Sequence, residues 1–358
     1  MNRFRKLTKV FILVLICFVA APLKGQKDSA NTNKKVKVLP VPTLGFSPET
    51  DFYVGAVALF ALDFYQDGIT RKSNAKAEIT YTWNKQIILE LGWDYFFERE
   101  EWFTQGRLHF SKYPDRYYGI GANTPESNET WFGSNRIIGD ISFLKSLKPK
   151  MFLGPEVSYL SYRDVKPEGD IVFEELYDRS NFALFLVYLW DNRNNLLNST
   201  KGSYLRASSG YSWNGEANNP TGELDGRLYK TFKEKYTLAF RSFTHVNFGS
   251  PTFYNQAILG GDRFVRGFLY GRFRDANLST LQLESRNHLF WRIGISLFGG
   301  YSFLFDDINA TYPEQFKYNF GGGLRILVDK KDNINLRFDY AVGQDGQTGF
   351  YVAFGESF

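Results

Sequence analysis

The sequence predicts an all-β chain: a 16-stranded antiparallel transmembrane β-barrel with a long sixth external loop. Three observations lead there. Aromatic residues make up 18% of the chain, yet after the N-terminal leader no segment is long and apolar enough for a membrane helix. Many segments alternate apolar and polar residues with period two over about ten positions, the length a tilted strand needs to cross a bilayer. The connections between them alternate between tight and long, as in barrels with short periplasmic turns and longer external loops. In such a barrel each strand turns one apolar face to lipid and one polar face to the lumen, so overall hydropathy stays low while aromatics gather at the two interfaces.

Residues 1–25 read as a secretory signal peptide. Arg3, Arg5, Lys6 and Lys9 give the positive start, Val10 to Ala20 the apolar run, and Gly25 before Gln26 a cleavage point. The apolar run stops at Ala21-Pro22, short of a membrane span. Five of the 43 basic residues (Arg3, Arg5, Lys6, Lys9, Lys24) belong to this leader, which leaves 38 against 38 acidic residues. Net charge therefore gives no support to nucleic-acid binding. Cys17, the one cysteine, leaves with the leader, so disulfides and thiolate metal sites are excluded from the mature chain. Residues 26–50 read as a short periplasmic segment: a polar, lysine-rich tail, then Leu39-Pro40-Val41-Pro42 as a stiff lead-in. The barrel is placed at 51–358.

The sixteen strands fall near 52–65, 73–83, 86–97, 102–112, 116–123, 131–145, 150–163, 177–190, 202–213, 222–232, 235–248, 278–286, 290–304, 316–328, 333–343 and 349–358. Periodicity is clearest near the C-terminus, where Ile334, Leu336, Phe338, Tyr340 and Val342 alternate with Asn335, Arg337, Asp339, Ala341 and Gly343. Phe350, Val352, Phe354 and Phe358 share one face of the last run. Tight connections are expected at Asn84-Lys85, Tyr113 to Asp115, Ser146 to Pro149, Lys233-Glu234, Asn287-His288 and Asp329 to Asp332, and long ones at 164–176, 249–277 and 305–315. This parity sets both termini in the periplasm and makes 249–277 the sixth external loop.

Enzymatic chemistry finds little footing. His109 and His245 fall on lumen faces and His288 in a turn, and no Ser/His or Asp/His constellation can be read at the external rim. The acids Glu174-Glu175, Asp306-Asp307 and Glu98 with Glu100-Glu101 read as solvated loop charges. Gly321-Gly322-Gly323 lies in a strand, where glycine eases close packing, and cradles no phosphate. No cofactor, metal or catalytic group is expected.

Four motifs in order make the chain similar to the BamA/TamA-type outer-membrane barrel superfamily (bacterial surface antigen type). Gly260-Gly261 followed by Val265-Arg266-Gly267-Phe268 resembles its sixth-loop signature. Asp191-Asn192-Arg193-Asn194 leading to Ser199-Thr200-Lys201-Gly202 resembles its periplasmic turn, with Ser199 where proline is usual. Gly321 to Arg325 with Leu336 to Tyr340, and then Phe354-Gly355-Glu356-Ser357-Phe358, are similar to its last strands and its terminal aromatic sorting signal, carried here by Phe354 and Phe358.

The resemblance implies that Arg266 folds back into the lumen and pairs with acids on the twelfth and thirteenth strands. The twelfth-strand acid is Glu284; Phe298-Gly299-Gly300-Tyr301 stands where the thirteenth-strand aspartate is expected, which leaves one clear partner. Arg325, Arg337 and Asp339 are expected as lumen charges that satisfy one another. The resemblance further implies help in inserting or translocating proteins or lipids at the outer membrane, and a weak seam between the first strand (Phe52 to Tyr65) and the last. Outer-membrane lipids and periplasmic or outer-membrane protein partners follow from it, because residues 26–50 leave no room for the client-binding POTRA domains of the family.

Overall fold

The computed structural model describes residues 36–47, 50–168, 173–213, 218–249, 251–262, 264–307, 312, 315–330 and 333–358. The expected signal peptide lies outside the described residues. Sixteen strands form one antiparallel, nearly closed sheet in chain order. They are β1 (Val36–Ser47), β2 (Asp51–Leu62), β3 (Ser73–Thr82), β4 (Ile87–Phe96), β5 (Trp102–Tyr117), β6 (Thr130–Lys148), β7 (Met151–Glu168) and β8 (Arg179–Asp191). They continue as β9 (Gly202–Trp213), β10 (Asn218–Phe232) and β11 (Tyr236–Asn247). The long loop that follows carries a small hairpin, β12 (Ala257–Leu259) with β13 (Phe273–Asp275). The barrel resumes with β14 (Asn277–Phe290), β15 (Ile293–Phe305), β16 (Phe316–Asp329), β17 (Ile334–Gly343) and β18 (Thr348–Phe354).

The period-two reading of faces holds along the wall. In β14 Leu281 and Leu283 are exposed while Thr280, Gln282, Glu284 and Arg286 are buried. In β16 Tyr318 and Phe320 are exposed while Lys317 and Asn319 are buried. The outer surface is an apolar belt with exposed Leu184, Leu186, Leu224, Leu228 and Leu297, and exposed aromatics such as Trp83, Phe248, Phe290 and Trp291 toward its two ends. Alternation of this kind buries polar residues without a conventional hydrophobic core, the arrangement of a barrel whose outside is the greasier side.

Two strand assignments change, and they cancel in the count. The first strand is β1, inside the segment read as a periplasmic lead-in; its register with β2 runs unbroken from Val36↔Leu62 to Ser47↔Asp51. Pro40 and Pro42 masked it, since proline cannot donate to a ladder. Standing two apart, they aim their donor-less nitrogens at the same edge, and the continuous pairing with β2 makes that the outer edge, where proline is tolerated. The sequence runs read as 102–112 and 116–123 are one strand, β5, passing through Pro114. The ladder from β4 ends at Ile87↔Lys112, whereas pairing to β6 continues to Tyr117↔Thr130. Pro114 therefore sits past the end of the β4 ladder, where the Gln86 side chain takes its carbonyl (3.1 Å) and no strand calls for an amide.

The loops follow. Asn84-Lys85 joins β3 to β4 at the same end as the long loops, Tyr113 to Asp115 lies within β5, and Asn287-His288 lies within β14, so His288 is in a strand. The tight turn there is Trp291-Arg292. With these corrections the connection 248–276 is still the sixth at its end. We call that end the far end; the near end is where β1 begins and β18 finishes.

Candidate functional site: an arginine clamp between the sixth loop and the wall

Arg266 leaves the sixth loop on a left-handed glycine, Gly267 (φ 103°). A Cβ at Gly267 would lie 3.0 Å from the backbone of Val342 and Gly343, so only glycine lets the loop approach β17 this closely. Val265 and Phe268, on either side, are fully buried against Leu259, Phe273, Leu278 and Leu304. Apolar packing fixes the flanks and leaves the guanidinium with one place to go.

That place has two acids. Arg266 Nη2 donates to Glu284 Oε2 at 2.5 Å and Nη1 to Asp339 Oδ2 at 2.5 Å. Its guanidinium lies over the Phe298 ring, 3.5 Å from the centroid. Asn319 Nδ2 donates to the Arg266 carbonyl at 2.8 Å, and the Gly267 amide donates to the Tyr351 hydroxyl at 3.0 Å. The four-residue motif is thereby tied to β14, β15, β16, β17 and β18. A fork-shaped guanidinium with two carboxylates and a ring suits this geometry; a lysine ammonium does not match it.

The clamp sits in a balanced network. Arg325 bonds Asp339 (2.5 Å), Glu284 (3.2 Å) and Glu356 (2.9 Å). Arg286 bonds Glu284 (3.0 Å) and lies 3.6 Å from Glu356. Arg337 bonds Asp339 (2.8 Å) and Asp262 (2.7 Å). Ser296 adds a hydroxyl donor to Glu284 at 3.0 Å. Four arginines thus face four acids, and every side chain except Asp262 is at most 7% exposed. Buried charge survives only when paired and hydrogen-bonded, which this arrangement supplies. Gly321 and Gly323 make room for it, since a Cβ at Gly321 would meet the Phe298 ring and one at Gly323 the Asp339 carboxylate and Arg325.

The structure brings Glu284, Arg325, Arg337 and Asp339 together around Arg266. It also corrects the expectation of a single clear partner. The second acid is Asp339, two barrel strands beyond the place where an aspartate is expected, and Phe298 at that place offers a ring. Gly300, opposite Asn319, has no acid to give. Asp262 and Glu356 escaped the sequence reading, though Glu356 left a signal: it falls in step with Phe350, Val352 and Phe354 on the apolar face, where an acid marks the end of the strand.

The terminal aromatics separate accordingly. Phe354 closes β18, but Gly355 turns the chain with φ 79° and Phe358 packs against Tyr229 of β10 and Ala239 of β11. Phe358 therefore does not share the strand face read from the sequence. At the near end the turn after β8 is held as its motif suggests: Arg193 bonds Asp191 through two nitrogens (2.9 and 2.8 Å), and the Asn194 side chain accepts from the amides of Thr200 and Lys201.

In the sixth loop Asp275 is pushed up to about 6 by burial. His109 sits between Glu90 (3.3 Å) and Ser111 (2.9 Å), and His245 lies 3.5 Å from Glu223. Among the described residues no cluster of histidine, cysteine and carboxylates is arranged to hold a metal ion.

No family model and no curated protein matches the sequence. Solved structures do match it. CdiB from Acinetobacter baumannii superposes over 89% of this chain and 60% of its own, with a TM-score of 0.58 at 12% identity. CdiB from Escherichia coli does so over 90% and 63%, with 0.58 at 10% identity. BamA from Haemophilus ducreyi lacking POTRA domains 1-3 does so over 90% and 70%, with 0.53 at 12% identity. The chain spans about 60% of the length of the two CdiB proteins. Superposition over about 90% of the chain gives it the fold of the CdiB and BamA outer-membrane barrels, the one its motifs resemble.

Proposed function

We propose that this chain is an outer-membrane barrel of the BamA type that assists insertion or translocation of proteins or lipids, in concert with periplasmic or outer-membrane partner subunits. In this reading the near end and both termini face the periplasm, the apolar belt contacts outer-membrane lipids, and the barrel acts without catalytic chemistry, cofactor or metal of its own. The sixth loop lies folded in the lumen, and Val265, Arg266, Gly267 and Phe268 are its anchor. Glu284, Arg325, Arg337 and Asp339 are the wall side of that anchor.

One observation carries the reading. Arg266 is held by two acids from two strands and a ring from a third, so the loop and the wall beside the last strand form one rigid piece. A rigid wall next to an incompletely zipped pair of end strands concentrates motion at the seam, where a substrate segment would be handled. The test is a folding assay: liposomes carrying the full chain should speed the folding of a test outer-membrane barrel relative to empty liposomes. An unchanged folding rate, with outer-membrane extract added as a source of partners, overturns the reading.

A second reading, an accessory or pore-forming barrel without insertase activity, is favoured by the opposite wall. Arg107 is paired to Asp140 on the inner face, yet its side chain is 65% exposed, so the interior is open beside β5 and β6. Ion conductance across a planar bilayer together with no folding acceleration selects it.

A further inference from the structure

The two lips of the seam are built differently. Hydrogen-bonded ladders join each barrel strand to the next from β1 to β18, and β1 and β18 lie alongside each other to close the circle. The outer edge of β1 carries Pro40 and Pro42, which withdraw two donors from any ladder with β18. Side chains bridge the gap instead. Tyr53 of β2 lies flat over Gly45, its partner across the β1–β2 ladder, and its hydroxyl donates to the Val352 carbonyl of β18 at 2.9 Å. A Cβ at Gly45 would stand 2.5 Å from the Tyr53 ring, so the glycine is what lets the ring pass over β1.

The other lip is tied down. Past Phe354 the chain crosses to the body of the barrel. The Gly355 amide donates to the Asn335 carbonyl (2.8 Å), and the Glu356 amide to the Leu197 carbonyl (3.0 Å). The Glu356 carboxylate accepts from Arg325 (2.9 Å) and from Asn335 Nδ2 (2.8 Å). Arg286 Nη2 donates to the Phe358 carbonyl at 2.8 Å, and Ser357 Oγ to the carbonyl of Asp262 in the sixth loop at 3.1 Å. The last strand is thus bound at its end to β14, β16, β17, the turn after β8 and the Arg266 loop.

We propose that the seam has one movable lip, the β1–β2 hairpin, and that Tyr53 is its latch, while Gly355–Phe358 form a tie-bar that keeps β18 in place. The proposal rests on the reading of the seam as the working part of the barrel, and it adds which side moves and which side chain holds it. The hydroxyl-to-carbonyl bond of half-buried Tyr53 is weak enough to open and specific enough to set the closed register, and the exposed ion pair of Lys37 in β1 with Asp329 at the end of β16 (3.4 Å) adds little to it.

Amide hydrogen exchange of the full chain in lipid nanodiscs tests it. Amides of 36–47 should exchange faster than those of 348–354. Tyr53→Phe should speed exchange in 36–47 about fivefold, the effect of one lost hydrogen bond, and leave 348–358 unchanged. Gly45→Ala should do the same, because its Cβ displaces the ring; it also serves should the tyrosine variant fail to fold, as judged by heat-modifiable gel migration. Glu356→Gln should speed 348–358 alone. Equal loosening of both lips, or no change in 36–47 in either latch variant, overturns the proposal. The folding assay run on the same samples separates the two ideas: the exchange asymmetry without folding acceleration keeps the latch and removes the insertase reading.

Discussion

At the scale of single residues, Arg266 is the side chain that joins the sixth loop to both Glu284 and Asp339. Arg266→Met leaves Glu284 and Asp339 with more negative charge than the remaining arginines balance in a dry site. Breaking a buried pair from one side typically costs about 3–5 kcal/mol. We expect faster protease nicking of the sixth loop and a lower denaturant midpoint, with Arg266→Lys milder, since an ammonium keeps the charge but loses the fork and the ring stacking. In the double variant Arg266→Met, Glu284→Gln the loss should be smaller than the sum of the two singles, because each single strands a charge that the double removes. Additive losses would show that the two side chains are not a pair. Asp275 gives a pH signature. Its carboxyl sits at about 6 in the folded loop against an ordinary 3.8, so the folded loop holds its proton to higher pH than the unfolded one. Loop protection should therefore fall as pH rises from about 3.8 to about 6 and level off above, and Asp275→Asn should flatten that slope.

At the scale of elements, β1 and β5 show what patterning misses. Both contain prolines, and both are strands because the prolines occupy edges with no partner to disappoint: Pro40 and Pro42 at the seam, Pro114 beyond the last residue of β5 that β4 reaches. A proline counts against a strand only if a neighbour needs its amide, and sequence does not say where the neighbours end. Restoring donors should act in the opposite sense. Pro40→Val with Pro42→Val supplies two amides to the seam edge, and exchange in 36–47 should slow as β1 zips toward β18. Unchanged or faster exchange would show that β18 does not take up the restored amides. The sixteen-strand count survived because one strand was missed and another divided. The faces were read correctly in β17, where an uninterrupted run keeps strict alternation: Arg337, Asp339 and Ala341 are buried and Tyr340 is exposed.

At the scale of the whole molecule, the charges fall into two populations. Around Arg266 they are dehydrated and balanced four against four; along β5 and β6 they line an open interior, as the exposed Arg107 shows. Surface and hydrated pairs are screened by salt within about 10 Å at 0.1 M, whereas buried ones are not. Raising the salt from about 0.05 to about 0.5 M should leave sixth-loop protection unchanged while weakening contacts such as Lys72 with Asp63, whose lysine is 59% exposed. A sixth loop that loosens with salt would mean that water reaches the clamp.

Pattern alone reaches the class and the ingredients: a barrel of sixteen strands, the inward faces and the long sixth loop; that the loop's arginine meets Glu284 was implied by the resemblance of its motifs. Those follow from local rules, since the period of the strand fixes the face and glycine fixes where the backbone can turn. Tertiary structure alone decided the pairings between distant strands. Asp339 became the second acid, and Phe298 the ring beneath the guanidinium. Glu356 and Phe358 left their strand for the barrel body, and Tyr53 reached across β1 to Val352. A barrel brings residues far apart in the chain onto adjoining positions of its wall, and which of them meet depends on register and stagger. Alternation is blind to both: it fixes the side of the sheet and leaves the neighbour across it open.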